Sequence, residues 1–457
     1  MPYEQQFSPR LGHVASASDP AVQQALSRWT IPALTADASE IEKRIIPLED
    51  LTEEAGRPEP KFAFAFDGSD VEVAAREEYP SVTVGYLKVG GALVDLEKFF
   101  SCDDDGLVDP RKLRQAMDAR SIVSVLPGSM VTRPGLTGVD TWRLELDSMF
   151  RANGFNESGQ IYSLHDALLT MRGAPGTPAA AITIGRCPGC VAKNLTVARD
   201  GSKCPSCSTE LYITDVLRTH DEFAETGSNM VPFTRVMNAA ERFLSLGYLD
   251  WLYVNAPGAL ATTLFIQDGP LALHGTTAPL KRDWLAYWEK LNANLNQQGH
   301  LPPLVVGVEK SGTFVEHANA IADVIPERHL MGLDNQYIQT RIRAKDPEKW
   351  YGQDEFYGRR FFYRTSTGRM LVVTVPRIPG GTPHNDSKSV ATPPDWHANP
   401  VQYPTLRATL EALDRVQTRM YPNAVIPVAL AHEAVALPLG TGSHVLTLMA
   451  KEALGLA

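Results

Sequence analysis

Four cysteines fall into two C-x-x-C pairs, Cys187 with Cys190 in "CPGC" and Cys204 with Cys207 in "CPSC". Thiolates at this spacing suit a tetrahedral Zn²⁺, because each Pro-Gly or Pro-Ser turn gathers two sulfurs and lets backbone amides face them. A thioredoxin-like redox site needs only one such pair, so the doubled motif reads as a structural zinc ribbon. Whether the ribbon contacts DNA, forms a protein interface or only supports the fold is left open by the residues. Two aspartates carry a second kind of chemistry. Asp67 ends "FAFAFDGS" and Asp268 ends "TTLFIQDGPL", each after an apolar run and before a glycine. Carboxylates at the tips of neighbouring core strands can share Mg²⁺ or Mn²⁺, which prefer oxygen donors. Asp-Gly is also a common turn signal, but its recurrence after two buried-looking strands favours the metal.

Other polar residues flank similar runs. Lys310 follows "VVGVE" and, at the same sheet edge, would steady charge on a phosphate; a surface lysine is the alternative. Asp334 in "LMGLDNQYI" reads as a helix N-cap. Two basic stretches could track a nucleic-acid backbone: Arg341, Arg343 and Lys345, then Arg359, Arg360, Arg364 and Arg369. The second interleaves Tyr and Phe, which suits stacking on unpaired bases. Alternation in a half-exposed strand gives the same pattern without a ligand. The acidic run Asp103 to Asp105 reads as a solvated turn and Cys102 as a free thiol.

These residues need elements to hold them. After a polar, helical start with a helix from Asp19 to Trp29, three strand-like runs follow: "KFAFAFDG", "SVTVGYLKVGG" and "ALVDLEKFF". Short turns between them predict an antiparallel meander. Helices are expected over 110–123 and 141–172, then the cysteine-paired segment 182–215 intervenes. A helix at "MVPFTRVMNAAERFLSLGYLDWL", the Asp268 strand, a helix over 283–298, the strand before Lys310 and a helix over 315–324 come next. Strands at "RRFFYRTS" and "RMLVVTVPR", a proline-rich loop over 376–404 and helices over 404–420 and 425–454 complete the chain. Strands first in a meander and then alternating with helices point to a mixed sheet in an α/β or α+β layered fold.

The 457 residues are 44% hydrophobic and carry a formal charge of −10, an ordinary globular composition. That charge lacks the basic footprint of a protein binding nucleic acid unaided. No signal peptide or membrane-length apolar run is evident. The five cysteines fit a reducing cytoplasm.

Taken in order, the "DGS" strand, a helix carrying Arg and Glu, the "DGPL" strand, "GVEKSG" and a late "YP…AH" segment resemble the NurA nucleases. The resemblance spans about residues 60 to 440, though each motif is short. It implies an RNase H-like fold, Mn²⁺- or Mg²⁺-dependent DNA cleavage, a homodimer and a HerA-like hexameric ATPase as partner. The implied divisions are an N-terminal segment (1–60), a split RNase H-like domain (61–181 and 216–457) and the inserted ribbon (182–215). Carried over residue by residue, Asp67 and Asp268 match the family aspartates. Glu241 in "FTRVMNAAERF" matches the helix glutamate, with Glu222 and Glu225 as alternatives. Tyr421 and His432 in "MYPNAVIPVALAHEAV" match the late segment, His432 as a metal ligand or proton carrier. The ribbon and the proline-rich loop depart from a minimal NurA pattern, and would tailor partner or substrate choice in repair or anti-phage defence. Two other readings stay open, a catalytically silent adaptor on the ATPase and an RNase H-like enzyme acting on RNA. The first is separated by geometry: an enzyme requires the Asp67 and Asp268 carboxylates to lie within about 4–6 Å.

Overall fold

The computed structural model describes residues 18–29, 38–75, 79–101, 103–104, 107–108, 115–157, 160–343, 351–378, 400, 403–417 and 425–437. In chain order its main strands are β1 (Ile45–Pro47), β2 (Phe62–Ala74), β3 (Thr83–Asp95) and β4 (Met117–Pro127). Helices α1 (Gly138–Ala152), α2 (Leu164–Arg172) and α3 (Met230–Asn255) follow. Then come β5 (Thr263–Asp268), α4 (Lys281–Gln297), β6 (Leu304–Glu309) and α5 (Thr313–Ala320). The last elements are β7 (His329–Gly332), β8 (Gly358–Arg364), β9 (Met370–Pro376), α6 (Leu406–Arg415) and α7 (Ile426–Val435).

All nine strands form one sheet in the order β1-β7-β8-β9-β6-β5-β2-β3-β4. Strands β2, β3 and β4 make an antiparallel meander, while β5 runs parallel to β2 and β6 parallel to β5. A meander is joined by two strands parallel to its first member. The fold is thus a mixed α/β sheet flanked by helices. Among the described residues no helix is long and apolar enough to cross a membrane.

The alternation in β2 divides the layers. Phe64 and Phe66 point into the core beneath α3, where Phe64 meets Tyr248 edge-on with centroids 4.4 Å apart. Ala63 and Ala65 point to the opposite face, beneath α6 and α7, with Leu410, Val428 and Ala431. Bulk on one side fills the deep layer under the long helix; methyl groups on the other let α7 approach closely. Each buried Phe contributes about 1.5–3 kcal/mol by removal from water.

Several expectations change. "ALVD" completes β3, and "LEKFF" is a short helix, Leu96–Phe100, capped by Asp95, whose carboxylate accepts from Lys98 N at 3.1 Å. The third meander strand is β4, where a helix over 110–123 was expected; "SIVSV" alternates as a strand does, with Ile122 and Ser124 turned inward between exposed Val123 and Val125. The helix expected over 141–172 is two, α1 and α2, interrupted by a hairpin pairing Gly154–Glu157 with Gln160–Ser163. The N-terminal segment is not purely helical, since β1 pairs with β7 at the sheet edge. Both strands are too short to leave a periodic signal. Residues 379–399 of the proline-rich loop and the ends of the two terminal helices lie outside the described residues.

The ribbon is two small antiparallel ladders, Ala181–Arg186 with Lys193–Ala198 and Ser202–Lys203 with Glu210–Leu211. Ile182, Ile184, Val197 and Leu211 join the same core as α1 and α2. Arg143 of α1 makes a buried bidentate pair with Asp215 at 2.8 and 2.7 Å. Removing one partner of such a pair typically costs about 3–5 kcal/mol, because the other charge is left buried.

Gly68, the residue after Asp67, makes room for α3. A Cβ there would lie 2.5 Å from Glu241 Oε1 and 2.8 Å from Met237 Cγ. Gly68→Ala should therefore lower the unfolding free energy by about 1–3 kcal/mol, read from urea denaturation.

Candidate metal centre

Side-chain alternation carries the site. Ala63 and Ala65 of β2, Leu264 and Ile266 of β5, and Val306 and Val308 of β6 all face the core under α6 and α7. One further step of two residues on each strand gives Asp67, Asp268 and Lys310. Because the three strands are adjacent and parallel, Asp268 at the end of β5 and Lys310 just past β6 emerge beside Asp67, which lies mid-strand in β2 at the point where its pairing with β5 stops.

Helix α7 supplies the fourth group. Its apolar face, with Val428, Ala431 and Val435, packs on the small residues of β2 and β3. Gly90, paired with Asp67 across the ladder, makes this approach possible: a Cβ there would lie 2.9 Å from Val435 Cγ1. Ser69 Oγ donates to the Val435 carbonyl and pins the helix end. His432 then places Nδ1 2.8 Å from Asp67 Oδ2.

Asp67 is buried, with Oδ1 accepting from Gly68 N at 2.7 Å. Lys310 Nζ lies 2.7 Å from Asp268 Oδ2 and 3.8 Å from Asp67 Oδ2. One donor atom from each of Asp67, Asp268 and His432 lies within 4.8 Å of the others, so the three could hold a metal ion. Burial pushes the Asp268 carboxyl up to about 6, the Asp67 charge adds to the rise, and Lys310 opposes it. Two carboxylates and an imidazole form a donor set that suits a divalent cation.

Glu241 stands apart from that donor set. It lies on α3, at the other face of the sheet, within hydrogen-bond reach of the neighbouring Arg242 and of Gln267 Nε2 at 3.1 Å. Burial pushes its carboxyl up to about 8; Arg242 opposes the shift, while the Asp67 and Asp268 charges add to it. The alternatives are engaged elsewhere. Glu222 pairs with Arg235 at 3.5 Å, and Glu225 accepts from Gly138 N at the start of α1. Arg242, which sequence reasoning passed over, donates to the carbonyls of Pro270 and Ala272 at 3.2 Å each. It ties α3 to the loop beyond Asp268, and only its adjacency to Glu241 marks it in the sequence.

The remaining sequence candidates are dispersed. Asp334 is an N-cap, accepting from Tyr337 N at 2.6 Å. Arg360 is buried and bidentate to Glu309 at 2.5 and 3.2 Å, with Phe314 and Phe356 rings on its guanidinium. Arg364 donates to the carbonyls of Ala322 and Ile325, and Arg341 pairs with Glu40 at 2.7 Å. These three guanidiniums brace the chain, Arg360 and Arg364 from strand β8 and Arg341 from the helical turn Ile338–Ile342. Arg343 is exposed beside Tyr351, and Arg359 is half-buried at the start of β8. Tyr421 and Lys345 lie outside the described residues.

The four ribbon sulfurs converge as their spacing predicts. Cys187 and Cys207 Sγ are 3.7 Å apart, as are Cys190 and Cys204 Sγ. Gly189 N approaches Cys187 Sγ at 3.4 Å. All four sulfurs lie within 4.8 Å of one another, a set that could hold zinc.

No family model and no curated protein matches the sequence. Two solved structures show a distant similarity. The NurA nuclease from Sulfolobus solfataricus covers 98% of this chain and 98% of its own, at 9% identity and a TM-score of 0.34. A second NurA structure covers 96% of each chain at 10% identity and a TM-score of 0.28. Likeness at this level carries no argument about activity, which rests on the geometry above.

Two measurements check the electrostatics and the ribbon. The Glu241 carboxyl titrates higher folded than unfolded, so its neutral form stabilises the native state below about pH 4.5, and that contribution is lost as pH rises through about 8. Metal-free Glu241→Gln should lose less stability than the parent between pH 5 and 9, read from urea midpoints. Zinc analysis should find one ion per parent chain and none in Cys204→Ser.

Proposed function

We infer that the chain is a divalent-metal-dependent nuclease of the NurA type. The observation that carries the reading is the convergence of Asp67, Asp268 and His432 beside Lys310, where β2, β5, β6 and helix α7 meet. The donor atoms meet within the distance required of an enzyme, which favours this reading over a silent adaptor. A divalent ion in that position supplies a Lewis acid for the scissile phosphate and lowers the pKa of water. Asp67 and Asp268 hold the ion through oxygen, and His432, fixed against Asp67, completes the donor set. Lys310 places positive charge where a phosphate enters. The ribbon would hold zinc as a structural ion, and Arg343 and Arg359 would contact the nucleic acid.

The finer assignments rest on the sequence resemblance. They are DNA as substrate, Mn²⁺ or Mg²⁺ as the ion, a HerA-like hexameric ATPase as partner, a homodimer, and a cytoplasmic place in end repair or anti-phage defence. Tyr421 would assist at the same site, and Glu241 would act from behind it.

Asp67→Asn tests the reading directly. Cleavage of labelled single-stranded and duplex DNA with Mn²⁺ should fall by on the order of 10²–10³ or more, with the thermal midpoint retained. RNA of the same sequence, assayed beside the DNA, distinguishes the two substrates. Undiminished cleavage by the variant would remove Asp67 from the chemistry.

A further inference from the structure

The reading above leaves open how many ions the site takes, and Lys310 bears on that number. The ammonium lies 2.7 Å from Asp268 and 3.8 Å from Asp67, against the same two carboxylates that would bridge a pair of metals. Two-metal sites place their ions about 3.5–4 Å apart and need carboxylates to span both. Glu241, across the sheet on α3, is turned to Arg242 and Gln267. What remains is Asp67 Oδ2 and His432 Nδ1, 2.8 Å apart, with Asp268 completing three donors. That separation is close to what two adjacent donors on one ion require, given metal–oxygen distances of about 2.0–2.1 Å.

Charge gives the same answer. Asp67 and Asp268 together carry two negative charges, and Lys310 with one divalent ion brings three positive ones. A second divalent ion would raise that to five, in a site where Asp67 is 4% exposed and the Lys310 side chain 28% exposed. At such short range and reduced dielectric, added like charge is strongly disfavoured.

We propose that Lys310 occupies the second cation position, so that this centre takes a single divalent ion with the lysine ammonium as its permanent partner. The inference rests on the metal-centre reading but is separable from it. In mechanistic terms, the ammonium provides the second positive charge toward a phosphate oxygen without a second metal having to bind.

The test counts ions rather than turnover. Full-length protein with its ribbon loaded with zinc is dialysed against Mn²⁺, and bound manganese is counted by metal analysis. Asp67→Asn serves as the background for ions held elsewhere. Wild type should bind one Mn²⁺ above that background, Lys310→Met two, and Lys310→Arg, which keeps the charge, one. Circular dichroism checks that each variant is folded. A second ion in wild type, or a count that stays at one in Lys310→Met, overturns the lysine's role while leaving the metal centre intact. No manganese above background in wild type overturns the metal-centre reading, and the inference falls with it.

Discussion

The molecule depends on the two-sided character of β2. Phe64 and Phe66 commit one face to a deep core under α3, and Ala63 and Ala65 leave the other face shallow enough for α7 to lie close. Since successive side chains must alternate, the next residue after Phe66 has to join the shallow side. Asp67 therefore meets a helix rather than solvent, and that helix carries His432. A single slip in register would exchange the faces, bury Phe where Ala stands, and turn the carboxylate into the α3 layer.

The same constraint separates two kinds of buried acid. Asp67 and Asp268 share a face with a lysine and a histidine, which partner their charges. Glu241 lies across the sheet, held by Arg242 and Gln267, with the absent side chain of Gly68 making its room. Its effect on the site is electrostatic and positional, because Arg242 also holds the loop that follows Asp268.

Much of this was legible before any coordinates. The period-two pattern of "FAFAFD" and the apolar run into "QDG" mark two core strands, each carrying an aspartate, because strongly biased segments survive context. The paired C-x-x-C motifs marked the ribbon, whose chemistry is local. Less legible were β1 and β7, too short to show a period, and β4, whose alternation is confined to the short run "SIVSV". The partners of Arg360 and Glu241 could not be read at all. Glu309 and Gln267 are distant in sequence, and nothing local distinguishes an arginine that braces a sheet from one that meets a phosphate.

The centre is also assembled from opposite ends of the chain: Asp67 and His432 are 365 positions apart. During synthesis the meander and its aspartate emerge long before α7, so a growing chain holds an acidic pair without its imidazole. Closure over Ala63 and Ala65 is a late, long-range step of the kind that sets folding speed. Competence and completion are thereby the same event: a chain that ends between β9 and α7 has all nine strands but lacks His432, one of the three candidate metal donors.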